Sequence, residues 1–257
     1  MKWMLLKSFF VFGLVSMFLF SISGCDIVKE FFGIKTGTKN HIDVCVDITL
    51  ADGLEQELEQ DSAFVANIIN HLGAGDLLHI YPIHKMAFIR QEKIFECEMP
   101  KEVGPAEGIL KNNRNDALKK FTSGWKKGLQ YSIKRGYNRA TDLEGLFQHL
   151  QNHLQRVKAK KQKIIILSDM QDVAPHKWNF ERKAPDFSLL QKWENEHAIA
   201  NLKNTEVFIF RVYPAHHISK DHYLKIKKFW EQYFRKAGAN LVCYQYERDL
   251  NLIFKEN

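Results

Sequence analysis

The segment Lys163–Asp169 reads KIIILSD and decides the fold, because a run of large apolar residues ends abruptly on a serine and an aspartate. A short continuous apolar run is typical of a strand buried on both faces of a sheet. Similar runs, rich in Val, Ile, Leu or Phe, occur at Ile42–Ile48, Leu77–Pro82, Glu206–Tyr213 and Asn240–Tyr246, and Met86–Glu98 alternates like an edge strand. The sequence therefore predicts six strands.

Helical patterns separate these strands. Apolar residues recur at helical spacing in Leu58–Leu72, Asp142–Val157, Phe187–Leu202 and Ser219–Ala237. Strands that alternate with helices pair in parallel through right-handed crossovers. The predicted fold class is α/β: a doubly wound, mostly parallel six-stranded sheet with helices on both faces and one antiparallel edge strand.

Residues 111–139 are predicted to form a basic helical insertion. Its apolar stripe consists of Leu118, Phe121, Trp125, Leu129 and Ile133, and most of its lysines lie off that stripe. Two interpretations remain open here. The helix lies on anionic lipid headgroups, or the stripe packs on the sheet and the lysines are solvated.

The N-terminus carries the pattern of a secretory signal. Lys2 and Lys7 precede the uncharged run Phe9–Phe20, which is too short to span a membrane, and small residues follow it. The ending Ile22-Ser23-Gly24-Cys25 resembles the lipobox of bacterial lipoproteins, although Ile22 stands where leucine is commoner. The resemblance implies that Cys25 is lipidated after cleavage, whereas the alternative is an ordinary cleaved signal with a chance cysteine.

An anchor at Cys25 holds the protein on a membrane surface, because each buried methylene of an acyl chain contributes about 0.8 kcal/mol. The same resemblance implies that Asp26 retains the protein at the inner membrane, on its periplasmic face, if the bacterium is Gram-negative. The expected organisation is a signal peptide at 1–24, a lipid-anchored linker at 25–40 and one globular domain at 41–257. The linker keeps that domain close to its membrane.

Charge and cysteine content limit the classes of function. Removal of the leader takes away two lysines and no acidic residue, so the formal net charge falls from +7 to +5. That charge suits anionic lipids or acidic proteins and is too small to predict nucleic-acid binding. Besides Cys25 only Cys45, Cys97 and Cys243 remain, and we predict no structural disulfide among them.

Polar residues follow two of the buried strands. Asp47, Thr49 and Asp52 come at the end of the first strand, Asp169 follows the fourth predicted strand, and Thr141 opens the helix before it. The carboxyl ends of parallel strands form one edge of the sheet, where ligands bind. Oxygen ligands of this kind suit Mg²⁺ or another hard divalent cation.

This arrangement resembles the von Willebrand factor A (vWA) domain over nearly all of the chain after the linker. There an Asp-x-Ser-x-Ser motif, a distant threonine and a later aspartate form a metal-dependent adhesion site. The resemblance implies Asp47, Thr49, Thr141 and Asp169 as the metal site. Ala51 stands where the second hydroxyl should be, so binding is expected to be weakened and not abolished. The alternative is that Asp47 and Thr141 only cap helices and satisfy loop amides.

A long loop follows Asp169 and offers possible partner contacts at Asp172, His176 and Trp178, together with Asp52 at the same edge. The alternative is that Trp178 and Phe180 fold back over the helix below. His149 and His153 are one helical turn apart, but Leu150 replaces the glutamate of a zinc-peptidase helix, so this interpretation is discarded.

The resemblance implies a non-catalytic binding module that holds an unidentified envelope protein at the membrane. A metal-free structural scaffold is the nearest alternative. A metal-dependent phosphohydrolase with Asp47 as nucleophile is a third, but Thr49 occupies the position of its second aspartate, and no phosphate-binding loop or nucleophile elbow occurs. We therefore expect no enzyme activity.

Overall fold

The computed structural model describes residues 38–49, 54–85, 87, 93–101, 107–136, 140–157, 159–174, 178–212 and 218–255. The predicted signal peptide, Cys25, Asp26 and nearly all of the linker lie outside the described residues, as do Ala51, Asp52 and His176. Among the helices that are described, none has the length and apolar character needed to cross a membrane.

The described chain alternates strands and helices along most of its length. The strands are β1 (Thr38–Asp47), β2 (Leu77–Ile83), β3 (Phe95–Glu98), β4 (Ala159–Leu167), β5 (Val173–Ala174), β6 (Trp178–Asn179), β7 (Thr205–Phe210) and β8 (Asn240–Tyr244). The helices are α1 (Leu54–His71), α2 (Glu107–Lys134), α3 (Leu143–Leu154), α4 (Phe187–Asn195), α5 (Lys220–Ala237) and α6 (Leu250–Phe254).

Six strands form one sheet in the order β3-β2-β1-β4-β7-β8. All neighbours pair in parallel except β2 and β3, which are antiparallel. The predicted fold class is therefore confirmed, including the antiparallel edge strand. A two-stranded antiparallel sheet of β5 and β6 was not predicted, because each of its strands is only two residues long.

The two faces of the sheet bury separate hydrophobic clusters. In β1 the residues Ile42, Val44 and Val46 pack against α1 and α2, whereas Cys45 faces α3 and α5. Successive side chains of a strand point to opposite faces, so His41 and Asp43 share the face of Cys45. This alternation places polar residues of β1 under α3.

The basic helix packs on the sheet. Phe121, Trp125 and Leu129 of its apolar stripe are buried in the cluster beneath α1 and α2, whereas Ile133 is 47% exposed. This arrangement supports the interpretation in which the stripe belongs to the domain core. Cys45, Cys97 and Cys243 are free thiols, so the expectation of no disulfide among them is confirmed.

Candidate functional site

The turn after β1 is organised by the carboxylate of Asp47. Its Oδ1 accepts hydrogen bonds from the backbone N–H of Thr49, at 3.0 Å, and from the Thr49 hydroxyl. An aspartate that bonds its own backbone two residues on forms an Asx-turn, which fixes the direction of the chain. This turn presents the Thr49 hydroxyl at the carboxyl edge of the sheet.

Two other segments meet that turn. The hydroxyl oxygens of Thr49 and Thr141 are 2.5 Å apart, although 92 positions separate the residues in sequence. Ser168, directly after β4, donates its hydroxyl to Oδ2 of Asp47 at 2.7 Å. The sequence did not single out Ser168 as a site residue. The structure thus brings Asp47, Thr49 and Thr141 together, as predicted from the strand-end pattern.

Asp169 lies at the same edge. Its carboxylate accepts hydrogen bonds from the backbone N–H of Gln171 at 3.0 Å and from the Gln171 side-chain amide at 3.1 Å. Burial, together with the negative charge of Asp47, raises the pKa of Asp169 to about 7. The two carboxylates therefore repel one another, and a cation near both would relieve that repulsion.

Arg211 lies behind the edge, directly after β7. Its guanidinium donates to the backbone carbonyl of Asp47 at 3.2 Å and to the carboxylate of Asp61 at 2.8 Å. Arg248 donates to the other oxygen of Asp61 at 2.8 and 2.9 Å. This buried ion-pair network fixes the end of β1 from the side of α1.

The loop after Asp169 folds back on the domain. Asp172 is fully buried, and its carboxylate accepts from the backbone N–H of Leu143 at 3.1 Å and from the indole N–H of Trp178 at 2.5 Å. Trp178 in turn packs edge-to-face on Trp193, and Phe180 is 1% exposed. Burial raises the pKa of Asp172 to about 8. Asp172 therefore positions this loop and does not face solvent, in agreement with the interpretation that Trp178 and Phe180 fold back.

The donors at this edge fit a hard divalent cation. Asp47, Thr49, Thr141 and Asp169 offer only oxygen atoms, from two carboxylates and two hydroxyls, and Thr49 and Asp169 are both partly exposed. Mg²⁺ prefers such oxygen ligands and usually keeps several waters, so it does not need further protein ligands. The alternative role for Asp47 and Thr141, capping helices and satisfying loop amides, holds only in part. Asp47 accepts a hydrogen bond from a loop amide, but the residue that caps α3 is Asp142 and not Thr141.

A second polar cluster lies inside the sheet face that α3 covers. It consists of His41 and Asp43 on β1, His79 on β2 and His153 on α3, and one ligand atom from each lies within 4.8 Å of all the others. These residue types at these distances could hold a metal ion. His149, one turn before His153, is outside the cluster and contacts the ring of Tyr81.

The charges in this cluster are coupled. Burial on its own would raise the pKa of Asp43, but hydrogen bonds from His41 and His79 hold it at about 2. Burial, together with the neighbouring imidazoles, lowers the pKa of His153 to about 4. At neutral pH the cluster thus combines a carboxylate with an uncharged imidazole at His153.

Sequence reasoning missed this cluster, although a signal was present. His41 and Asp43 are two apart at the start of an apolar strand run, so both point to one face. His79 could not be assigned to the same cluster without the register of β1 and β2, which places it opposite Asp43.

No protein-family model matches this sequence, and no curated protein sequence matches it. Solved structures with a similar fold include the ArnB paralog VWA2 from Sulfolobus acidocaldarius (13% identity, 67% of this chain and 34% of that chain, TM-score 0.38). They also include a von Willebrand factor type A protein from Catenulispora acidiphila (10% identity, 78% and 42%, TM-score 0.40). A third is an aerotolerance-related membrane protein from Bacteroides fragilis (9% identity, 82% and 92%, TM-score 0.39).

The chain spans less than half the length of the first two of these proteins. Identities and TM-scores of this size leave the function to be argued from the residues of this chain.

Proposed function

We propose that this chain is a membrane-anchored, non-catalytic vWA-type module that binds another protein through the carboxyl edge of its sheet. Asp47, Thr49, Thr141 and Asp169 hold Mg²⁺ or another divalent cation there, as a degenerate metal-dependent adhesion site. Lipidated Cys25 holds the module on a bacterial membrane, at the periplasmic face of the inner membrane if the cell is Gram-negative. The partner is a protein of the cell envelope.

One observation carries the proposal. The hydroxyls of Thr49 and Thr141 approach to 2.5 Å beside the Asp47 carboxylate, from segments 92 positions apart. A hydrogen bond between the Thr49 and Thr141 hydroxyls explains their own contact. It does not explain why a second carboxylate, that of Asp169, lies near Asp47 and has a raised pKa. A shared cation accounts for both features, because it attracts the two carboxylates and accepts hydroxyl oxygens as ligands.

The cation would supply an exposed positive charge with a coordination position left for a partner. Mg²⁺ and Mn²⁺ prefer oxygen ligands, so a carboxylate of the partner is the group that such a site would recognise. The missing hydroxyl at Ala51 weakens the hold of the protein on the ion and makes the partner's contribution proportionally larger.

The environment of Asp47 supports a non-catalytic role. Asp47 is 2% exposed, and hydroxyls of Thr49 and Ser168 occupy its two oxygens. A carboxylate nucleophile has to reach a substrate, which this hydrogen-bonded and buried carboxylate is poorly placed to do.

A metal-free scaffold is the second candidate, and Arg211 favours it. This guanidinium is buried close enough to Asp47 and Asp169 that both carboxylates raise its pKa. A fixed internal cation would offset part of the negative charge at the edge without an added ion. The titration described next distinguishes the two candidates.

Adding Mg²⁺ or Mn²⁺ to the full chain is expected to raise its melting temperature by roughly 5–10 °C at a hundredfold excess over the dissociation constant. Such an excess stabilises by about 2.7 kcal/mol, and each kcal/mol shifts a domain of this size by about 2–4 °C. Thr141→Val should abolish most of this shift, because it removes one hydroxyl ligand at nearly constant volume. Thermal unfolding followed by circular dichroism measures both.

Thr205→Val is the matched control, since Thr205 is also 2% exposed but lies at the opposite end of the sheet, at the start of β7. It should keep the full metal response. A wild-type chain without a metal-dependent shift, or a Thr141→Val chain with an unchanged shift, contradicts the cation site and favours the scaffold.

Cys25→Ser is expected to move the protein out of the membrane fraction when the full chain is expressed in a bacterium. Acyl chains at Cys25 would supply the membrane affinity, because about 0.8 kcal/mol is gained for each buried methylene. Cys97→Ser serves as the control and should stay with the membrane, since Cys97 lies in β3 within the domain. Membrane retention of the Cys25→Ser protein would show that the anchor is not a lipid at this residue.

A further inference from the structure

The cluster of His41, Asp43, His79 and His153 joins three separate elements of the domain. We infer that it is a tetrahedral site for a transition metal ion, best fitted by Zn²⁺, and that this ion ties β1, β2 and α3 together. The site is distinct from the carboxyl edge. Asp43 precedes Asp47 by four residues on the same strand, which corresponds to about 13 Å.

The distances match a tetrahedral coordination sphere. Nδ1 of His79 is 3.0 Å from Nε2 of His41, 3.0 Å from Nε2 of His153 and 3.3 Å from Oδ1 of Asp43. The same Oδ1 is 3.1 Å from Nε2 of His41 and 3.9 Å from Nε2 of His153. Zn–N and Zn–O bonds of about 2.0–2.2 Å place tetrahedral ligand atoms roughly 3.3–3.6 Å apart. These five separations bracket that value, and all four ligand atoms lie within 4.8 Å of one another, so a bound ion requires the side chains to close in slightly around it.

Hydrogen bonds alone do not account for these contacts. An imidazole nitrogen carries either one hydrogen or one lone pair in the ring plane, so Nδ1 of His79 makes one good hydrogen bond. It nevertheless lies within 3.3 Å of three polar atoms. A metal ion at the centre of the cluster would accept one lone pair from each of the four side chains. The close approach of these polar atoms is then explained by four metal–ligand bonds.

One unsatisfied atom points the same way. Over the residues that the structure describes, Oδ2 of Asp43 is buried without a hydrogen-bond partner, and the residue is 0% exposed. A buried carboxylate oxygen without a partner costs free energy. Metal coordination at Asp43 offsets that cost, because the ion neutralises the carboxylate as a whole.

Nitrogen ligands decide which ion fits. Three imidazoles and one carboxylate suit Zn²⁺, whereas Mg²⁺ and Ca²⁺ prefer oxygen ligands only. Nε2 of His79 is 3.6 Å from the Glu96 carboxylate, in the position of the outer carboxylate that commonly orients a zinc-bound histidine. Four protein ligands leave no open position, so the ion has a structural role and not a catalytic one.

Access to the site is through the helix. The side chain of His153 is 20% exposed, whereas those of His41 and Asp43 are completely buried. His153 is therefore the ligand that can be replaced with the least damage to the core. His149 lies one turn earlier on α3 and is also half-buried, but it is not one of the four proposed ligands. It is therefore a matched control for His153.

The experiment uses the full chain purified in detergent without added metal. Elemental analysis should find one zinc per chain, and removal by a strong chelator should lower the melting temperature by roughly 5–10 °C, reversed by added Zn²⁺. Co²⁺ added to the stripped protein should give the intense visible absorption of a tetrahedral complex. His153→Gln should weaken Zn²⁺ binding by more than about 100-fold, since loss of an outer partner alone costs about 10–100-fold.

His149→Gln should bind Zn²⁺ as the wild type does. The inference is overturned if the folded wild-type chain binds neither Zn²⁺ nor Co²⁺ stoichiometrically, or if His153→Gln binds Zn²⁺ with wild-type affinity. Should His153→Gln fail to fold, the cobalt spectrum of the wild type decides, because weak octahedral bands would exclude a four-ligand site. The Mg²⁺ response of the carboxyl edge is expected to survive in His153→Gln, so the two sites are tested separately.

Discussion

Asp61→Asn is expected to lower the free energy of unfolding by about 3–5 kcal/mol, because it leaves a buried guanidinium without its carboxylate. Asp61 is 0% exposed and accepts from Arg211 at 2.8 Å. The side chain of Arg211 is only 8% exposed, so water cannot take the place of the lost carboxylate. Denaturation by urea measures the loss as a lower midpoint at an unchanged slope.

Glu57→Gln provides the matched control. Glu57 lies one turn before Asp61 on α1 and also pairs with Arg248, at 2.6 Å, but its side chain is 19% exposed. Its replacement should cost about 1 kcal/mol, because water reaches this pair in part and Arg248 keeps its hydrogen bonds to Asp61. The double variant Asp61→Leu/Arg211→Met should recover most of the stability lost in Asp61→Asn, since neither charge remains buried. Equal losses in Asp61→Asn and Glu57→Gln would contradict the role of burial.

Trp230→Ala is expected to cost about 3–5 kcal/mol, the usual range for removing a large aromatic side chain from a core. Trp230 is 0% exposed and packs against Phe147, Phe229 and Tyr233, with ring centroids 5.2 to 5.6 Å away. Its loss opens a cavity between α3 and α5 that the surrounding rings cannot fill without leaving their rotamers. Chemical denaturation gives the size of the effect.

Trp230→Phe separates packing from hydrogen bonding. The indole N–H of Trp230 donates to the carbonyl of Met170 at 2.9 Å, and Met170 has a positive φ of 62° directly after Asp169. Phenylalanine keeps most of the volume but leaves that carbonyl unpaired, at a cost of about 1–3 kcal/mol. Because the bond fixes the chain next to Asp169, Trp230→Phe should also weaken the metal response at the carboxyl edge. Equal stability of Trp230→Phe and wild type would show that this hydrogen bond contributes nothing net.

Apolar patterning predicted where the buried strands lie but not where they end. The prediction began the fourth strand at Lys163, whereas β4 begins at Ala159, because its first residues are polar and pair with the start of β1 beyond the core. The prediction extended the next strand to Tyr213, but β7 ends at Phe210, where Arg211 takes a positive φ of 70°. Backbone pairing and conformation, not hydrophobicity, set these limits.

The helix predicted to run from Phe187 to Leu202 is shorter in the structure. It ends at Asn195, although Ala200 and Leu202 are buried at positions that continue the helical spacing. Beyond it, the backbone N–H of Leu202 donates to the carbonyl of Ala237 at the end of α5. The apolar pattern correctly predicted that Ala200 and Leu202 are buried. It did not predict that Leu202 forms its backbone hydrogen bond with another helix.

The sequence by itself determined the class of fold and the polar edge of the sheet, because periodic burial and strand-end residues are local properties that the order of amino acids records. Only the tertiary structure decided that Ser168 joins that edge and that His41, Asp43, His79 and His153 meet under α3. Those meetings depend on strand register and helix packing, which bring residues more than a hundred positions apart to within 4 Å. Local patterns carry no information about such distances.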